Sequence, residues 1–140
     1  MKVYIAAAFF TPEQLSVVMS IESALEVNGI EYFSPRSEGT LKDMSIEERK
    51  AMMSGIFRFN VAHMDWCTHC IAVIDDYDTG TVWEMGYLYA TKKVIVTMTS
   101  HYHGINVMLN ESIFAHTDSV ESAIKGILGK KGLPKTGDVT

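Results

Sequence analysis

Apolar and polar positions along the chain switch repeatedly between a strand-like and a helix-like period, and the switches mark out an α/β domain. Lys2–Ala8 mixes β-branched, aromatic and small apolar residues, as a strand buried on both faces does. Thr11 then offers an N-cap with Pro12 at the first helical position, and Leu15, Val18, Ile21 and Leu25 recur at helical spacing until Asn28-Gly29. Ile30–Ser34 predicts a second strand ended by Pro35, and Arg36–Asp43 has the polar, glycine-containing composition of an exposed loop over the strand ends. Ser45 opens another helix, with Glu47 and Glu48 in its first turn and a body running through Met52, Ile56 and Phe59 to about Met64.

The second half repeats the alternation. Cys70–Asp75 reads as a short buried strand, an acidic glycine-containing turn follows, and Thr81 opens a helix with Glu84 in its first turn. Val94–Met98 predicts a fourth strand, Ser100–Gly104 a polar turn, Ile105–Leu109 a short helix, Ile113–His116 a fifth strand and Asp118–Leu128 a final amphipathic helix. Residues 1–128 are thus expected to form a single domain, with 129–140, rich in Lys, Gly and Pro, as a loose tail. The fold expected is α/β, a flavodoxin-like five-stranded, mostly parallel sheet with helices on both faces. A dinucleotide-binding fold is excluded, because Ala6-Ala7-Ala8-Phe9-Phe10 stands where the glycine fingerprint belongs.

Composition removes several classes of function. A net charge of −5 argues against a nucleic-acid polymer as partner, since phosphate binding needs clustered Lys and Arg. No apolar run approaches the roughly 20 residues of a membrane span, and the N-terminus lacks a long apolar leader segment, so a cytoplasmic protein with no membrane contact is expected. Cys67 and Cys70 form one C-x-x-C, but no second pair exists and the residues lead into a strand, so neither a metal nor a redox role is expected.

The chemistry concentrates between Cys70 and Lys92. In open α/β sheets ligands sit beyond the carboxyl ends of the strands, where helix N-termini also point, and Asp75, Asp76, Asp78 and Glu84 fall there. Thr81-Val82-Trp83-Glu84 also matches a capping box, which is the structural alternative for Glu84. Asp75 and Asp76 read as turn residues.

The motif Asp78-x-Gly80-x-x-x-Glu84-x-Gly86-Tyr87 resembles the signature of the nucleoside 2-deoxyribosyltransferases. The likeness extends, in the same order, to Val3–Phe10, to Ser34-Pro35-Arg36 and to Gly104–Met108. The resemblance implies an enzyme moving 2-deoxyribose between nucleobases with retention, through a covalent intermediate on Glu84, with no cofactor. Its substrates would be a deoxynucleoside and a free nucleobase. Tyr4 matches a tyrosine that orients the nucleophile, Asp78 a residue holding the sugar 5′ hydroxyl with Gly80 beside it, and Phe9 and Phe10 the aromatic face for the base. Asn106 matches an asparagine supplied to the site of a neighbouring subunit, which implies a homo-oligomer.

Two departures fall on the base side. Asn60 stands where the family places an aspartate, and an asparagine bonds a base without supplying an acidic proton. His63 lies one helical turn on, as a substitute acid or as a helix-surface histidine. The base-contacting glutamine after the second strand and the terminal aromatic residue are also missing. Two other readings stand beside transfer: an N-glycoside hydrolase using the same intermediate, and a catalytically weak nucleoside-binding protein.

Overall fold

A computed structural model describes residues 1–38, 44–100 and 104–129. Five strands, β1 (Lys2–Ala6), β2 (Glu31–Phe33), β3 (His69–Val73), β4 (Val94–Met98) and β5 (Ala115–Thr117), form one sheet in the order β2-β1-β3-β4-β5. Every pairing is parallel, so the sheet is wholly rather than mostly parallel. The helices between them are α1 (Pro12–Val27), α2 (Ile46–Trp66), α3 (Thr79–Ala90), α4 (Val107–Ser112) and α5 (Val120–Ile127), with a 3-10 turn at Pro35–Glu38. The expected flavodoxin-like architecture is the one observed.

Both sheet faces are covered, and each has its own core. On one side Val3, Ile5, Ile71 and Val96 meet Val18, Ile21 and Leu25 of α1 and Ile124 and Ile127 of α5. On the other, Tyr4, Cys70, Ala72 and Ile95 meet Met64 of α2 and Met85 and Leu88 of α3. Successive side chains of β1 and β3 therefore alternate between two apolar layers, which is why these strands read as unbroken apolar runs.

Local capping follows the sequence at most termini. Thr11 accepts from the Gln14 amide and Ser45 from the Glu48 amide, each closed into a capping box. The exception is the helix that matters most. α3 opens at Thr79, two residues before the expected start, and its N-cap is Asp78, whose side chain accepts from Thr81 N at 3.0 Å. Thr81 is thus inside the first turn, Glu84 lies one turn further in, and the Thr81–Glu84 capping box does not form. A carboxylate at the cap both satisfies an orphan N–H and complements the helix dipole, so it outcompetes a threonine three residues on.

Other boundaries move by one to three residues. β1 stops at Ala6, and β3 spans His69–Val73 rather than reaching Asp75. β2 is shorter than Ile30–Ser34, and Pro35–Glu38 coils into the 3-10 turn rather than a loop. Asn106 caps α4, β5 lies at Ala115–Thr117, and Ser119 caps α5. The rest of the Arg36–Asp43 loop, part of the Ser100–Gly104 turn and nearly all of the 129–140 tail lie outside the described residues. No described helix is long and apolar enough to cross a membrane.

Candidate active site

Strand order reverses direction between β1 and β3, since the chain leaves β1 toward β2 and returns on the other side. At such a switch point the loops part and leave a crevice beyond the strand ends. A pocket of about 790 Å³ opens there. The exit of β1 contributes Ala7, Phe9 and Phe10, the exit of β2 contributes Pro35, α2 contributes Asn60, and the start of α3 contributes Asp78, Gly80 and Glu84.

Glu84 is held by Tyr4. The phenol lies wholly buried on β1 and donates its O–H to Glu84 Oε2 across the sheet–helix boundary. Burial pushes the Glu84 carboxyl up to about 7, and the nearby charge of Asp78 adds to the rise, while the Tyr4 hydrogen bond opposes it. Tyr4 itself is pushed far above the ordinary phenol range, by burial first and by the Glu84 charge second, so it stays a donor. A carboxylate fixed through one oxygen at the pocket wall keeps the other for a substrate.

Asp78 lines the same pocket. Its Oδ2 accepts from both Thr81 N and Thr81 Oγ1, at 3.0 and 3.1 Å. Gly80 permits this fold-back, because a Cβ there would come within 3.2 Å of the same oxygen. The other two aspartates are turn residues with definite partners. Asp75 accepts from Ser100 N at 2.7 Å and Ser100 Oγ at 2.8 Å, and Asp76 accepts from Gln14 Nε2 at 2.9 Å. They tie the β3–α3 turn to β4 and α1.

Phe9 and Phe10 meet with ring centroids 4.8 Å apart on one wall. Asn60 is on the α2 wall, and its Oδ1 is shut off from solvent with no hydrogen-bond partner among the described residues. His63 is turned elsewhere: its ring stacks on Phe33 at 3.7 Å, its Nδ1 lies 2.9 Å from the Phe59 carbonyl oxygen, and it does not line the pocket. Asn106 is exposed, accepts from Met108 N at 2.8 Å, and does not reach the pocket of its own chain. Cys67 and Cys70 are buried thiols, Cys67 pushed up to about 11 by burial and donating to the Met64 carbonyl.

The wall residues that sequence reading missed are on α2 and α3. Arg49, Ile56 and Phe57 join Asn60, and Trp83 joins Glu84. Arg49, Ile56 and Asn60 are seven and four residues apart, the spacing of one helix face, so Asn60 carried the signal for the others.

The family model described as Nucleoside 2-deoxyribosyltransferase matches residues 3–120. Among solved structures, the chain is similar to a 2-deoxyribosyltransferase from the psychrotolerant bacterium Bacillus psychrosaccharolyticus, with 30% identity over 87% of this chain and 89% of that one and a TM-score of 0.76. It shares its fold with a conserved protein from Enterococcus faecalis V583, at 18% identity over 100% and 90% of the two chains and a TM-score of 0.60. It also shares its fold with a Clostridium botulinum CMP N-glycosidase, at 14% identity over 91% and 98% and a TM-score of 0.62. A search of curated protein sequences found no match. With most of its length matched by the family model, and its signature motif opening α3 at the switch-point pocket, the chain belongs to the nucleoside 2-deoxyribosyltransferase family.

Proposed function

We propose that this protein transfers 2-deoxyribose between nucleobases with retention, through a covalent ester on Glu84. The observation carrying this reading is the Tyr4–Glu84 pair, a carboxylate held through one oxygen by a buried phenol at the switch-point pocket. Two displacements account for the reaction. A Glu84 oxygen bonds to C1′ of the donor as the C1′–N bond breaks, and the bonding pair leaves with the base, which takes a proton. A nitrogen of the acceptor base then bonds to C1′ from the vacated face, the ester breaks, Glu84 regains its carboxylate and the acceptor gives up a proton. Each displacement inverts C1′, so the pair retains configuration. Bonds are exchanged only with the carboxylate, and no cofactor enters.

Asp78 accepts the 5′ hydroxyl through Oδ1, its Oδ2 being committed to Thr81. A carboxylate there repels a 5′ phosphate, which favours nucleosides over nucleotides. Phe9 and Phe10 stack the base. Asn60 bonds the base edge, and the departing base takes its proton from water because an amide has none to give. Asn106, exposed and away from its own pocket, completes the site of a neighbouring copy in a homo-oligomer. Exposed apolar side chains at Met53, Phe57, Trp83 and Met108 are compatible with such contact, Met108 being 76% exposed.

A product assay pairing a deoxynucleoside with a second free base tests this reading. A new deoxynucleoside is expected, together with a protein adduct of one deoxyribosyl mass mapping to Glu84. Release of free deoxyribose alone would make the protein a hydrolase, and turnover surviving Glu84→Ala would remove Glu84 from the nucleophile's role.

A further inference from the structure

The turn between β3 and α3 holds a residue that none of the pocket chemistry uses. Tyr77 has φ of 47°, in the left-handed region that a side chain with a Cβ enters at a cost. It does not line the pocket that holds Glu84. Its hydroxyl donates to the Gly104 carbonyl, 27 residues along the chain, and itself accepts from the Asn106 backbone N–H. From the same turn, Asp75 grips Ser100 through both its amide and its hydroxyl. The turn is therefore tied twice to residues beyond β4, at Ser100 and at Gly104.

We propose that Tyr77 is a positioning residue that couples Asp78, the sugar anchor of its own site, to Asn106, the sugar contact given to the neighbouring site. Asp78 follows Tyr77 directly, and Asn106 lies two residues beyond Gly104. One hydroxyl thus sets both halves of 5′-hydroxyl recognition, each half serving a different pocket of the oligomer. This rests on the roles of Asp78 and Asn106 given under Proposed function.

The test is Tyr77→Phe, which keeps the ring and removes the strut. With 2′-deoxynucleoside donors kcat/KM should fall about tenfold, the worth of one well-placed hydrogen bond. With 2′,5′-dideoxynucleoside donors, which lack the hydroxyl, it should be unchanged. Equal loss on both donors, or no loss on either, overturns the proposal. Tyr77→Gly relieves the backbone but cannot restore the strut, so wild-type donor discrimination in that variant also overturns it. Amide hydrogen exchange gives a readout independent of turnover: Tyr77→Phe should speed exchange at residues 78–81 and 104–108 together, and acceleration at only one of them, or neither, refutes the coupling. If the wild-type protein neither transfers nor releases deoxyribose, the proposed function fails, and the exchange experiment still decides whether the two segments are tied.

Discussion

Replacing Glu84 by Gln should make the protein more stable, and the gain should depend on pH in a defined direction. Folding raises the Glu84 carboxyl from its ordinary 4.5 to about 7, chiefly by burial. The folded state therefore holds this proton more tightly than the unfolded chain, and stability contributed by the protonated form is fully present below about pH 4.5 and is lost as pH rises through about 7. At 1.36 kcal/mol per tenfold change in proton affinity the loss comes to about 3 kcal/mol, and solvent at the open side of the pocket reduces it to about 2 kcal/mol. Glutamine has nearly the same shape, can still accept from Tyr4, and does not titrate. Urea unfolding of the two proteins in parallel at about pH 5 and pH 8 separates this contribution from every other titration, because the rest cancel in the difference. Glu84→Gln should be about 2 kcal/mol more stable than wild type at the higher pH, with the gap largely closed at the lower one. A variant that is no more stable at about pH 8, or a gap that does not shrink toward about pH 5, would falsify the assignment of Glu84 as a carboxylate held against its hydration.

The same titration should govern catalysis: the proposed nucleophile attacks only when ionised, so donor cleavage should rise with pH to a plateau above about 7, and a rate falling over that range contradicts the nucleophile assignment. Tyr4→Phe removes the hydrogen bond that lowers the Glu84 pKa, so the pH–rate profile should move to higher pH and the plateau rate drop by about tenfold or more; an unmoved midpoint would mean that Tyr4 only packs. Burial, the largest single influence, would raise the Glu22 carboxyl, but the Arg36 hydrogen bonds, with Nε at 3.1 and 2.8 Å, act together with a Ser34 hydrogen bond and the guanidinium charge to hold it below the usual range. Arg36→Leu should cost about 2 kcal/mol at neutral pH, less than for a fully buried pair because Arg36 is partly exposed, and Glu22→Leu in that background should recover most of it. Because the Glu22 pKa is depressed on folding, the cost should vanish as pH falls below its ordinary 4.5; denaturation midpoints that stay apart in acid refute the pairing. Asn60→Asp should give the pH–rate profile a falling alkaline limb as an acid joins the leaving base, and an unchanged profile together with an unchanged base range would exclude that position from the mechanism.

The α/β alternation, the helix caps at Thr11 and Ser45 and the strand at Val94–Met98 could be read directly from the chain, because each depends on neighbours within a few residues. The motif from Asp78 to Tyr87 carried the family and the strand–turn–helix on which Glu84 sits. The cap of α3 was not legible. Asp78 and Thr81 are both good N-caps, and the backbone path of the turn chose between them, with Gly80 clearing space for the Asp78 carboxylate. That choice places Glu84 one turn into the helix, free of the capping box and opposite Tyr4.

Sequence by itself thus determined the elements, the family and the residue types available for chemistry, since these follow from short-range periodicity and from motif spacing. Tertiary structure alone decided which of them meet. Tyr4 and Glu84 lie 80 residues apart and become partners only because β3 pairs with β1 and α3 packs beneath them. The reversal of strand order opens the pocket, and burial in it raises the Glu84 carboxyl. His63, one turn from Asn60 on the same helix, is drawn instead onto Phe33. Local spacing sets which side chains can point the same way, and long-range packing sets what they find there.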